Sequence, residues 1–147
     1  MLKVHQEEPP GREPFLVKTI LIVEDDDSNA PTLAHLLSQR TPYHIYLATN
    51  GMAALKFISY LRPHLFILDD RLPNMNGLRL YEQLHAIRGL EDTPAILISA
   101  NLAQEQLKNE LKHRHLVAVP TPHDLDDLLQ MIEQVLVSAS TGASVML

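Results

Sequence analysis

The sequence contains no cysteine and no tryptophan. Without cysteine there are no disulfides and no thiolate chemistry, and the redox character of the compartment is left open. Positive charge is also scarce. Lys plus Arg number 12 against 18 Asp plus Glu, for a net charge of −6. That balance argues against bulk binding to nucleic acid or to an anionic membrane. The basic residues are scattered, with no stripe interleaved with aromatics, so neither nucleic acid nor membrane is expected as a partner. No apolar run approaches the roughly 20 residues of a transmembrane helix. The N-terminus, MLKVHQEEPPGREPF, has no apolar core and carries three prolines, so it is not a secretory signal. The expected location is the cytoplasm.

What is present is a chain of 147 residues, 46% of them apolar, enough for one domain with a proper core. Residues 1–17, rich in Pro and Glu, are expected to be a flexible leader, residues 18–138 the folded domain and residues 139–147 a small-residue tail. Within the domain, five short aliphatic runs recur: Thr19–Val23, His44–Ala48, Leu65–Asp69, Ala95–Ser99 and Leu116–Val119. Continuous rather than alternating apolar strands indicate burial on both faces, as in a parallel sheet. The intervals fit helices. Ala30–Arg40 carries one apolar stripe. Ala54, Leu55, Ile58 and Leu61 mark a second, and Leu80, Tyr81, Leu84 and Ile87 a third. Ala103, Leu107 and Leu111 mark a weaker fourth, and Leu125, Leu128, Leu129, Ile132, Val135 and Leu136 a fifth. The pattern predicts an α/β fold, a flavodoxin-like (βα)5 doubly wound parallel sheet with strand order 2-1-3-4-5.

In that order the ligand crevice lies at the carboxyl ends of the first and third strands. Both ends are acidic: Glu24, Asp25, Asp26 and Asp27 follow one, and Asp69 and Asp70 close the other. Two like charges about 4 Å apart repel by about 4 kcal/mol at an effective dielectric of about 20. A divalent cation reverses that sign, and hard oxygen donors suit Mg²⁺, which typically bridges one or two carboxylates to a phosphate. A carboxylate beside such an ion can act as a nucleophile toward phosphorus. For Asp26 and Asp27, capping of the first helix is an equally good reading.

The segments ILIVEDDDSN at 20–29, LFILDDRLPNMNG at 65–77, PAILISA at 94–100 and VP at 119–120 resemble the receiver domain of bacterial two-component response regulators. The resemblance covers roughly residues 18 to 138. It implies that Asp69, followed by Pro73 and Gly77, accepts a phosphoryl group from a histidine kinase or phosphotransfer protein. Glu24 and Asp25 match the acidic pair that binds Mg²⁺ with Asp69, and the backbone carbonyl of Arg71 matches a further metal ligand. Ser99 matches the hydroxyl that turns to the phosphoryl oxygens, and Ala100 the small residue that leaves room for them. Ser99 read alone is equally a helix-cap hydroxyl. Asp70 falls where the family's side chain usually points away.

Two positions depart from the pattern. The family's lysine before the last proline is Val119 here, and no lysine occurs after Lys112, so no shift of the strand restores it. The family's inward-packing aromatic, three positions earlier, is Leu116. Arg71 is a candidate compensating cation, its guanidinium being suited to phosphate oxygens, although an exposed loop arginine is the simpler reading. HRH at 113–115 is expected to be solvated at a helix end rather than metal-binding. The chain is too short for an output module beside the receiver-like unit, so signalling is expected through a protein partner on the face of the fourth helix, fifth strand and fifth helix; a homodimer is compatible. The alternative is a pseudo-receiver, a binding or dimerisation module that no longer switches with phosphate. An aspartyl-phosphate hydrolase would need a separate acid/base and a substrate cap, and neither is present; the chain is expected not to be an enzyme.

Overall fold

The computed structural model describes residues 2–3, 17–25, 30–99, 115–120 and 124–141. Five strands run parallel: β2 (Thr19–Val23), β3 (His44–Ala48), β4 (Leu65–Asp69), β7 (Ala95–Ser99) and β8 (Leu116–Pro120), in spatial order β3-β2-β4-β7-β8. Counted among the parallel strands, this is the predicted order 2-1-3-4-5. Four strands have the predicted bounds, and the fifth runs one residue further, to Pro120.

Alternate residues of each strand feed two separate cores, which is why the strands read as continuous apolar runs. Leu21, Val23, Phe66, Leu68, Ala95, Leu97 and Leu116 face α2 (Gly51–Phe57) and α3 (Gly77–His85), packing on Phe57, Leu80, Tyr81 and Leu84. Ile20, Ile22, Leu65, Ile67, Ile96 and Val119 face α1 (Ala30–Arg40) and α4 (Leu125–Thr141), packing on Ala34, Leu37, Leu128, Ile132 and Val135. Each such Val, Leu, Ile or Phe side chain contributes about 1.5–3 kcal/mol when fully buried.

α2 and α3 start on asparagine. The Asn50 side chain accepts from Ala53 N at 2.8 Å and that of Asn76 from Arg79 N at 2.8 Å, satisfying N–H groups the helix itself leaves unpaired. α2 ends at Phe57, and Ile58 caps it, so Leu61 of the predicted stripe lies beyond the helix and is exposed. Ile87 likewise lies past α3. The predicted fourth helix over Ala103–Leu111 falls outside the described residues, as do Asp26, Asp27 and Ala100.

Three features differ from expectation. Leu2–Lys3, inside the segment expected to be a flexible leader, forms β1 and pairs antiparallel with β3, Leu2 opposite Leu47 and Lys3 opposite Tyr46. α4 continues to Thr141, three residues past the expected domain limit, beyond the last core residues of its stripe, Val135 and Leu136. A two-residue hairpin, β5 (Arg71–Leu72) with β6 (Met75–Asn76), follows β4; only a turn was expected there.

Candidate functional site

The hairpin after β4 fixes the acceptor aspartate. Pro73 and Asn74 form its loop, and Asn74 adopts a positive φ of 68°. That conformation is what the third residue of a type II turn demands, and asparagine tolerates it better than most residues. Upstream, the Arg71 N–H donates to Asp69 Oδ1 at 3.0 Å, folding the carboxylate back over the start of the hairpin. Downstream, Gly77 N–H donates to the Asp70 carbonyl at 3.1 Å. A Cβ at Gly77 would collide with the Asp69 carbonyl oxygen and come within 2.6 Å of Leu97 Cδ1. Glycine is therefore required by the close approach of α3 to the acceptor backbone, not by an unusual φ.

The sheet register sets the neighbours. Val23 lies opposite Leu68 and Asp69 opposite Ile98. Carrying the first pairing on by one residue places Glu24 beside Asp69, and Glu24 N–H donates to the Ala48 carbonyl at 3.0 Å, keeping the chain extended there. Glu24 and Asp69 are half-buried and Asp25 is exposed. The register thus sets Glu24 and Asp69 at adjacent strand ends, with Asp25 the next residue along the chain.

Ser99 closes β7 at 1% exposure. Its hydroxyl donates to Asp70 Oδ2 at 3.1 Å. The strand alternation explains the pairing: Asp69 and Ile98 leave the sheet on one side, so Asp70 and Ser99, one residue on, leave it on the other. Sequence reasoning assigned Asp70 no partner. The signal that reveals one is the β4–β7 register, which is not visible in either segment alone.

The end of β8 is apolar. Val119 is 6% exposed and packs in the α1–α4 core, while Leu116, also 6% exposed, packs in the α2–α3 core. The absence of a cation is thus a packed arrangement, not a gap. The Arg71 guanidinium is exposed and forms no ion pair among the described residues. Away from the crevice, before the first residues of β7 and β8, His115 Nε2 lies 3.3 Å from Asp92 Oδ1.

Among the described residues, no three His, Cys, Asp or Glu side chains are grouped closely enough to hold a metal ion. Mg²⁺ needs fewer: one or two carboxylates, with water completing the shell. The half-buried carboxylates at the ends of β2 and β4 are hard oxygen donors of that kind.

The model of the response regulator receiver domain matches residues 20–133. A curated relative, the regulator of RpoS from Escherichia coli, is 34% identical over 122 residues, covering 82% of this chain and 35% of its own length. The chain spans 25% and 54% of the lengths of two further regulators it matches, AtoC of Escherichia coli and CrdR of Helicobacter pylori. Among solved structures, the signal receiver domain of a signal transduction histidine kinase from Syntrophus aciditrophicus superposes with a TM-score of 0.73 at 27% identity, over 89% of this chain and 98% of that one.

Proposed function

Because the chain belongs to the receiver-domain family of response regulators, we propose that it accepts a phosphoryl group on Asp69 from a histidine kinase or phosphotransfer protein and passes its state to a protein partner. The observation that carries this reading is the register that brings Glu24 alongside Asp69 at the carboxyl ends of neighbouring parallel strands. This is the place where such a sheet binds ligands.

In this reading a carboxylate oxygen of Asp69 attacks the donor phosphorus. The bond from phosphorus to the donor imidazole nitrogen breaks, and the electron pair leaves with the imidazole. The Arg71 N–H holds Asp69 Oδ1 and so fixes the carboxyl plane before attack. One or two of the carboxylates of Glu24, Asp25 and Asp69, with the Arg71 carbonyl and water, would hold Mg²⁺, which would supply charge neutralisation at the transferring group. Ser99 would donate its hydroxyl to a phosphoryl oxygen and Ala100 leave space for it. The Arg71 side chain would supply part of the charge that Val119 does not; unchanged phosphorylation and lifetime in Arg71→Ala would remove that role. The chemistry acts on the protein's own carboxylate, so it is a signalling step rather than turnover of an external substrate, and we place it in the cytoplasm. Among the described residues, no helix is long and apolar enough to cross a membrane.

The second reading, a phosphate-independent binding or dimerisation module, is favoured by buried Val119 and by Leu116. Incubation with Mg²⁺ and acetyl phosphate, followed by intact mass and peptide mapping, separates the two. The proposal expects one phosphoryl group, on Asp69. No adduct and no response to Mg²⁺ with beryllofluoride would leave the second reading.

A further inference from the structure

We propose that Asp70 is a positioning residue that holds the Ser99 hydroxyl away from Asp69 until the phosphoryl group arrives. The inference deepens the reading of Asp69 as phosphoacceptor and rests on it.

A serine hydroxyl has one proton to donate. In this structure that proton goes to Asp70 Oδ2 at 3.1 Å. A Ser99 hydroxyl that donates to a phosphoryl oxygen on Asp69 has to release Asp70 first, so the two bonds are mutually exclusive. Ser99 is 1% exposed. Water therefore has poor access as a substitute partner for that proton. The hydrogen bond to Asp70 is charge-assisted, of the stronger class for a neutral hydroxyl. Asp70 is also well anchored: its N–H donates to the Ile98 carbonyl at 2.9 Å, and its carbonyl accepts from Gly77 N–H at 3.1 Å. Its carboxylate is thus carried by backbone fixed to β7 on one side and to the start of α3 on the other.

The consequence is a threshold. Part of the interaction between Ser99 and the phosphoryl group is offset by the bond it replaces, which shifts the population toward the resting arrangement. Unlike a missing cation, this bias is specific to Ser99.

The test is a double-mutant cycle on the full chain, with beryllofluoride and MgCl₂ as the probe and NMR chemical shifts as the measure of occupancy. Asp70→Ala is expected to raise the apparent beryllofluoride affinity about tenfold in the Ser99 background, equivalent to about 1.4 kcal/mol, and to leave it unchanged in the Ser99→Ala background. Asp70→Asn keeps the side-chain size and a carbonyl acceptor and should give a smaller gain, which provides a readout if the alanine variant folds poorly. Equal gains in both backgrounds would mean that Asp70 acts only as a nearby negative charge, and would overturn the proposal. So would an unchanged affinity in Asp70→Ala when the wild type binds the probe. A wild type that takes up neither beryllofluoride nor a phosphoryl group overturns the phosphoacceptor reading, and the positioning role with it.

Discussion

The carboxyl ends of β4 and β8 lie two strands apart in one sheet and differ in kind. The first ends in carboxylates, tied down by a hairpin, a backbone N–H and a glycine that admits α3. The second carries Val119, one residue before its end at Pro120, closed into the hydrophobic core with α1 and α4. One end carries carboxylates; the other is closed by packing. On the proposed reading, acceptance of the group at β4 and its transmission to the far edge of the sheet at β8 would be physically separable.

The comparison breaks most completely at its acidic end. Asp69→Asn is expected to abolish the mass increase with acetyl phosphate, leaving no modified peptide, while the circular dichroism spectrum is unchanged. Next in size is Gly77→Ala. The added methyl meets the Asp69 carbonyl and Leu97, and overpacking of this sort costs about 1–3 kcal/mol; urea denaturation should show a loss near the upper end, because one of the colliding groups is backbone. Val119→Lys sharpens the comparison from the other side. A lysine at a position 6% exposed should destabilise the resting protein by about 1–3 kcal/mol and accelerate phosphorylation of Asp69 by about tenfold, equivalent to about 1.4 kcal/mol of barrier. An unchanged rate, measured by quenched-flow mass spectrometry, would mean that the end of β8 no longer communicates with the acceptor.

The smallest effect comes from the opposite end of the sheet and serves as a reference remote from both. Thr19 N–H donates to His64 Nδ1 at 2.9 Å. Burial, and then the nearby Lys18 charge, lower the His64 pKa from 6.5. The unfolded chain therefore binds more protons than the folded one just below that value, and stability falls as pH drops through it, levelling off below the folded-state pKa. His64→Gln should flatten the fall of Tm that begins as pH drops through 6.5, without altering adduct formation at Asp69.

Much of this was legible in the residues. Runs such as Leu65–Asp69 and Ala95–Ser99 announce doubly buried strands because nothing polar interrupts them, and their bounds agree with the structure. The strand order could be read too, and its register sets Glu24 beside Asp69. Other features were not legible for specific reasons. β1 has two residues and no apolar period, so no pattern marks it. The hairpin strands are equally short, though Pro73-Asn74 between Leu72 and Met75 marks their turn. The Ser99–Asp70 bond depends on how two strands 29 residues apart are aligned, and only the folded register supplies that.

Leu2–Lys3 has a consequence for the outside of the molecule. It pairs antiparallel with β3 at Tyr46 and Leu47, two of the five residues of that strand. An exposed strand is a template on which another chain can grow. At Tyr46 and Leu47 that place is already taken by the protein's own backbone.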